Sequence, residues 1–217
     1  MNAAIIELLV LAGIAIFLVM RLKSVLGTRE GFEKPQMQQE PAPKKRKFQV
    51  IEGGEDLDIP DDVDAASPSA EALALMKRAD NSFTVNEFLG GARMAYEMIL
   101  MAFENGDISE VRNFLAPEIE QAFDDVINDR KFNGLSIEAS FIGMRELKLV
   151  SADFDNSTKL AEITVSFTAE LTSVVRDKSG SIIEGDEKQI KRQKDVWTFA
   201  RSMASGDPNW QLVATGE

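Results

Sequence analysis

Apolar positions along the chain fall into three regimes. From Ala3 to Met20 the run AAIIELLVLAGIAIFLVM holds one charge, Glu7, and no proline. At about 1.5 Å per residue a helix of this length covers nearly the hydrocarbon thickness of a bilayer, so residues 1–23 are predicted to be a transmembrane anchor. From residue 24 to 66 no period recurs that builds a core. From Ser67 onward apolar residues recur at helical spacing as far as Gly134, and beyond it they alternate.

The flanks of the first run decide how it is used. A cleaved signal peptide carries its positive charge ahead of the apolar core, whereas here Arg21 and Lys23 follow it. With Arg29 and Lys34 they hold the C-terminal side in the cytoplasm by the positive-inside rule. The expected placement is a single pass through a bacterial inner membrane, N-terminus outside and the domain in the cytoplasm, or in the matrix of a mitochondrion. Glu7 lies near the outer end, within reach of headgroup water.

Residues 24–66 predict a disordered, charged linker. Pro35, Pro41 and Pro43 precede the basic run Lys44, Lys45, Arg46 and Lys47, and residues 52–64 then carry seven acids and no base. The four basic residues are a candidate lipid contact at about 1 kcal/mol each near an anionic surface. The alternative is a solvated cluster answered by the acids that follow.

The domain is expected over 67–217. Ser67-Pro68 starts a helix with Leu73 and Met76 on one face. Thr84-Val85-Asn86-Glu87 is a capping box, with Phe83 and Phe88 placed as a hydrophobic staple, and the helix it opens runs to Asn105-Gly106. One face carries Phe88, Ala92, Ala95, Ile99 and Phe103, and a second carries Met94, Met98 and Met101. Two apolar faces predict burial on two sides; left uncovered, the methionines form an adaptable surface for apolar partners. Phe88, Met94, Tyr96, Met98 and Met101 are therefore the candidate pocket or partner surface. Gly90-Gly91 predicts a close backbone approach or a bend.

A short helix is expected from Asp107 to about Leu115, then another from Pro117 to Gly134 with Ile119, Phe123, Val126 and Ile127 on one face. Residues 160–172 alternate, with Ala161, Ile163, Val165, Phe167, Ala169 and Leu171 on one face. Leu135–Val150 is the expected preceding strand, with a turn at 153–156. A second turn at Asp177-Lys178-Ser179-Gly180 leads to strands over Gln189–Met203 and Trp210–Thr215. Helices first and an antiparallel meander after is an α+β arrangement.

Composition removes whole classes of chemistry. There is no Cys and no His among 217 residues, which excludes thiol and imidazole nucleophiles and zinc sites built on them. No catalytic residue, cofactor or metal site is assigned. The net charge of −12 disfavours nucleic acid as a partner. Tyr96, the single tyrosine, is read as a helix residue with its hydroxyl at the surface rather than as half of an isomerase-like Tyr–Asp pair.

The last strands read Val196-Trp197-Thr198-Phe199-Ala200-Arg201, then Asp207-Pro208-Asn209-Trp210 and Leu212-Val213-Ala214-Thr215. With Phe83 to Asp107, they resemble the Tim44-like family over roughly residues 67–217. Trp197 and Trp210 are assigned as a core pair. The resemblance implies a fold of the cystatin-like, nuclear-transport-factor-two kind, in which helices pack on a curved sheet around a large apolar pocket. It also implies association with membrane lipid and with translocation or chaperone machinery. The expected function is a membrane-anchored, non-enzymatic adaptor. The alternatives are a small apolar-ligand or isomerase-like domain in the same fold, or a factor that docks ribosomes at the membrane.

Overall fold

The computed structural model describes residues 66–216, so the expected anchor, with Glu7, and the linker as far as residue 65, with Lys44, Lys45, Arg46 and Lys47, lie outside the described residues. Within them the order is α1 (Pro68–Ala79), α2 (Val85–Glu104), a 3-10 turn (Arg112–Phe114), α3 (Pro117–Asn133), then β1 (Ser136–Asp155), β2 (Leu160–Arg176), β3 (Ile182–Ser202) and β4 (Gln211–Gly216). No helix among the described residues is long and apolar enough to cross a membrane.

Local chemistry sets the helix boundaries. The Ser67 hydroxyl accepts from the Ala70 N–H at 3.2 Å, with Pro68 in the first turn of α1. The Thr84 hydroxyl accepts from the Glu87 N–H at 3.2 Å to start α2. Gly134 ends α3 at φ 68°, a left-handed conformation that any side chain would strain. The short helix expected from Asp107 is a 3-10 turn instead. Asp107 accepts from the N–H of Ser109, two residues on, at 3.0 Å, which closes a tight turn rather than capping an α-helix.

The four strands form one antiparallel meander in the order β1-β2-β3-β4. The alternation read for residues 160–172 holds, since Ala161, Ile163, Val165, Phe167, Ala169 and Leu171 are all buried. Their registers are Phe167 opposite Leu147 on β1 and Asp195 on β3. β1 runs through the expected turn to Asp155, and three bulges along it bend the strand. β3 begins well before Gln189, at Ile182.

Helices cover one face of the sheet. The inner stripe of α2, from Phe88 through Ala92 and Tyr96 to Ile99, lies in one buried cluster with Ile163, Val165, Phe167, Trp197 and Phe199. α1 is tied to β1 by a hydrogen bond from the Ala152 N–H to the Ser69 hydroxyl at 3.1 Å. Val126, expected on the buried face of α3, is exposed, because Ile127 takes the core position beside it. A β-carbon at Gly90 or Gly91 would meet nothing within 4 Å, so neither a close backbone approach nor crowding explains the pair. Gly91 instead lies in the wall of a cleft described below.

Candidate functional site

Two concavities flank α2. The first, of about 620 Å³, is walled by Met94, Met98 and Met101 on one side and by residues 107–111 on the other. The reversal after α2 builds the second wall: the Asn105 N–H donates to the Met101 carbonyl at 2.9 Å, Gly106 turns the chain at φ 73°, and Val111 is buried. Arg112 then fixes this wall to α3, pairing with Glu120 and gripping Asp124 with two bonds of 2.7 and 2.9 Å.

This groove corrects the expectation that the methionine stripe is core. Met94 is 67% exposed and Met98 47%, while Met101 is only partly buried. The helix is covered on one side, and its second apolar face meets solvent. Glu97, Asp107 and Glu110 share the lining, with no base among them. Hydrogen bonds from Ser109 hold the Asp107 carboxyl below the usual carboxylate range, so the rim is negative at neutral pH.

The second concavity, about 440 Å³, is lined by Phe83, Phe88, Phe114, Phe199 and Trp210, with Arg201 among them. Trp210 packs against Phe88 at 4.7 Å and Phe83 at 5.9 Å, whereas Trp197 lies 4.7 Å from Tyr96. The expected core pair of tryptophans is thus two separate sites, because Trp210 precedes β4 and only Trp197 is carried inward by a strand. Arg201 pairs with Asp80, and its guanidinium lies 5.6 Å from the Trp210 ring centre. Its Nε is buried without a hydrogen-bond partner.

Tyr96 belongs to neither concavity and corrects the second expectation. Its ring is fully buried, stacked on Phe167 at 4.4 Å and 12°. The hydroxyl donates to Asp195 Oδ2 at 2.6 Å, an oxygen that also accepts from Gln193 Nε2 at 3.0 Å. Burial, then this bond, pushes the phenol far above its usual value. Tyr96 is closed off by the core, while Asp195 beside it is partly exposed, so solvent meets the carboxylate and not the phenol. Near it, burial pushes the Glu104 carboxyl up, with Asp195 adding to the rise and Arg130 opposing it.

That shift gives a pH-dependent expectation. A carboxyl whose folded pKa stands above its ordinary 4.5 penalises folding once it ionises. Glu104→Gln therefore raises the melting temperature at pH 7, and the gain disappears as the pH falls below about 4.5, where both states are protonated. Thermal melts at pH 7 and pH 4 check this, and a gain of equal size at both rules it out.

Of the residues singled out in sequence, Met94, Met98 and Met101 come together in one groove, Phe88 lines the other, and Tyr96 is core. Sequence reasoning missed Asp195 and Arg201. The signal was present, since both share the parity of Trp197 and Phe199 and so face inward with them.

The family model described as Tim44-like domain matches residues 69–217, which takes in every described helix and strand but the first residue of α1. The chain belongs to the Tim44-like family. No curated protein matches it. Among solved structures, the intermembrane-space region of the chloroplast protein ARC6 is similar at 12% identity, covering 58% of this chain and 94% of that one with a TM-score of 0.37. In this Tim44-like domain the helices pack against an antiparallel four-stranded sheet, in an α+β arrangement.

Proposed function

We propose that the chain is a membrane-anchored, non-enzymatic adaptor that holds a protein partner at the cytoplasmic face of a bacterial inner membrane, in translocation or membrane-protein assembly. Family membership supports an adaptor or scaffold role in translocation. The sequence before residue 24 supplies the anchor, and the prolines and charges after it supply reach. The observation that carries the reading is the methionine groove on α2: three flexible, polarisable side chains held open to solvent beside an acidic rim.

A photoreactive amino acid in place of Met98 in the full chain, activated in intact membranes, is expected to give a discrete protein adduct that the same group at Val126 does not. Equal labelling from both positions, or none, overturns the groove as the partner site. The Arg201 cleft favours a second reading. An aromatic wall of Phe83, Phe88 and Trp210 with the Arg201 guanidinium among it suits an apolar ligand bearing one oxygen acceptor, such as a lipid ester.

A further inference from the structure

β4 pairs only with Val196–Ala200 of β3, so among the described residues no strand lies beyond the outer edge of β3 from Ile182 to Asp195. In this stretch the register jumps, Ser173 facing Asp186 and Leu171 facing Lys191. The residues between are pushed out as a bulge, steadied by the Lys188 N–H donating to Asp186 Oδ1 at 2.8 Å. From 188 to 194 the sequence reads Lys, Gln, Ile, Lys, Arg, Gln, Lys: four bases, no acid and no aromatic. Lys188, Lys191, Arg192 and Lys194 are exposed, and Ile190 in their midst is 54% exposed.

The rest of the domain makes this stretch stand out. Residues 66–216 carry 24 acids against 16 bases, yet two of the acids beside the bulge are engaged. Glu187 takes Arg176 at 2.5 Å, and Glu170 takes Arg145 at 2.6 Å and Arg192 at 3.3 Å. A basic stripe on an acidic body is repelled by an anionic surface everywhere except at the stripe, which orients the approach. Guarding an open strand edge asks for charge alone and leaves an exposed isoleucine without a purpose. Binding to nucleic acid asks for stacking groups that the stretch does not have.

We infer that the β3 bulge around Ile190 docks the folded domain on an anionic lipid surface, lysines on the headgroups and Ile190 entering the interface. The inference rests on the reading of the chain as a membrane-anchored adaptor and adds a contact made by the domain itself. Each lysine strengthens such a contact roughly fivefold.

The absence of cysteine makes the test direct, because Ile190→Cys supplies the sole thiol for an environment-sensitive fluorophore. The full chain is combined with vesicles of phosphatidylcholine alone or with phosphatidylglycerol added. The expected result is a blue shift that appears only with phosphatidylglycerol, collapses in about 1 M salt, where the Debye length is about 3 Å, and is lost in Lys188→Gln/Lys191→Gln/Lys194→Gln. The same label at Met94→Cys stays unshifted. Identical spectra in both vesicle types, or an equal response at Met94, overturn the inference, and so does a shift evoked by RNA but not by phosphatidylglycerol.

Flotation of the same samples separates the two readings. A chain that floats with both vesicle types but shows no shift keeps its anchor and loses this contact. One that floats only with phosphatidylglycerol, through the lysines, keeps the contact and loses the anchor. Flotation with neither sinks both.

Discussion

Phe167→Ala is expected to lower the stability of the domain by about 3–5 kcal/mol, the range for deleting a buried ring whose site does not collapse. Phe167 is fully buried at the middle of β2, with Tyr96 stacked on it and Trp197 and Phe199 at 5.8 and 6.4 Å. These neighbours come from α2 and β3, so no single element can move in to fill the gap. In urea the midpoint should fall by on the order of 2 M with little change in slope. Phe167→Leu, which keeps most of the volume, should cost less than about 1.5 kcal/mol. A loss under 1 kcal/mol for the alanine variant, against that ~3–5 kcal/mol expectation, would show that the ring does not hold the helices to the sheet.

The second large effect is expected at Asp80. The Arg201 side chain is 9% exposed and its carboxylate partner 21%. Asp80→Ala leaves that guanidinium with the Pro208 carbonyl at 3.4 Å and the face of Trp210. Breaking a fully buried pair costs about 3–5 kcal/mol; with Asp80 still partly wetted, about 2–3 kcal/mol is expected. Asp80→Ala/Arg201→Met removes both charges and should recover much of the loss, and a double variant no better than the single one would refute the pairing argument.

The pH profile offers a further check on Asp80. Bonds from the Ser82 hydroxyl and N–H, then Arg201, hold the carboxyl below its ordinary 3.8. Its contribution is therefore complete above about 3.8 and lost as the pH falls through the depressed value, so wild type and Asp80→Ala converge in acid.

What the sequence disclosed followed from how local each signal was. Ser67, Thr84 and Gly134 act on their own backbone or on a residue three positions away, and each marks its boundary in the structure. The inward face of β2 was legible because its outward face is polar and the alternation is clean. The first half of β3 was not, because it is exposed on both faces and its three isoleucines, Ile182, Ile183 and Ile190, follow no alternation.

The site was harder to read for a related reason. The hydrophobic pattern of α2 records two apolar faces without saying that only one receives a partner within the domain. Tyr96 follows the buried stripe, four residues after Ala92 and three before Ile99, but its hydroxyl meets Asp195, 99 positions away, and pairings of that span leave no trace in local periodicity. Parity along β3 was the one available clue.

α1 is fastened near both ends, by Ser69 to β1 and by Asp80 to β3. Mechanical load arriving from the chain ahead of Ser67 is therefore shared between two different strands. It has to break a hydrogen bond and a charge pair, and to drag Leu73 and Met76 out of their seats, before it can peel the sheet apart. The helix that the sequence marks by Leu73 and Met76 on one face thus ties the entering chain to the sheet at two places.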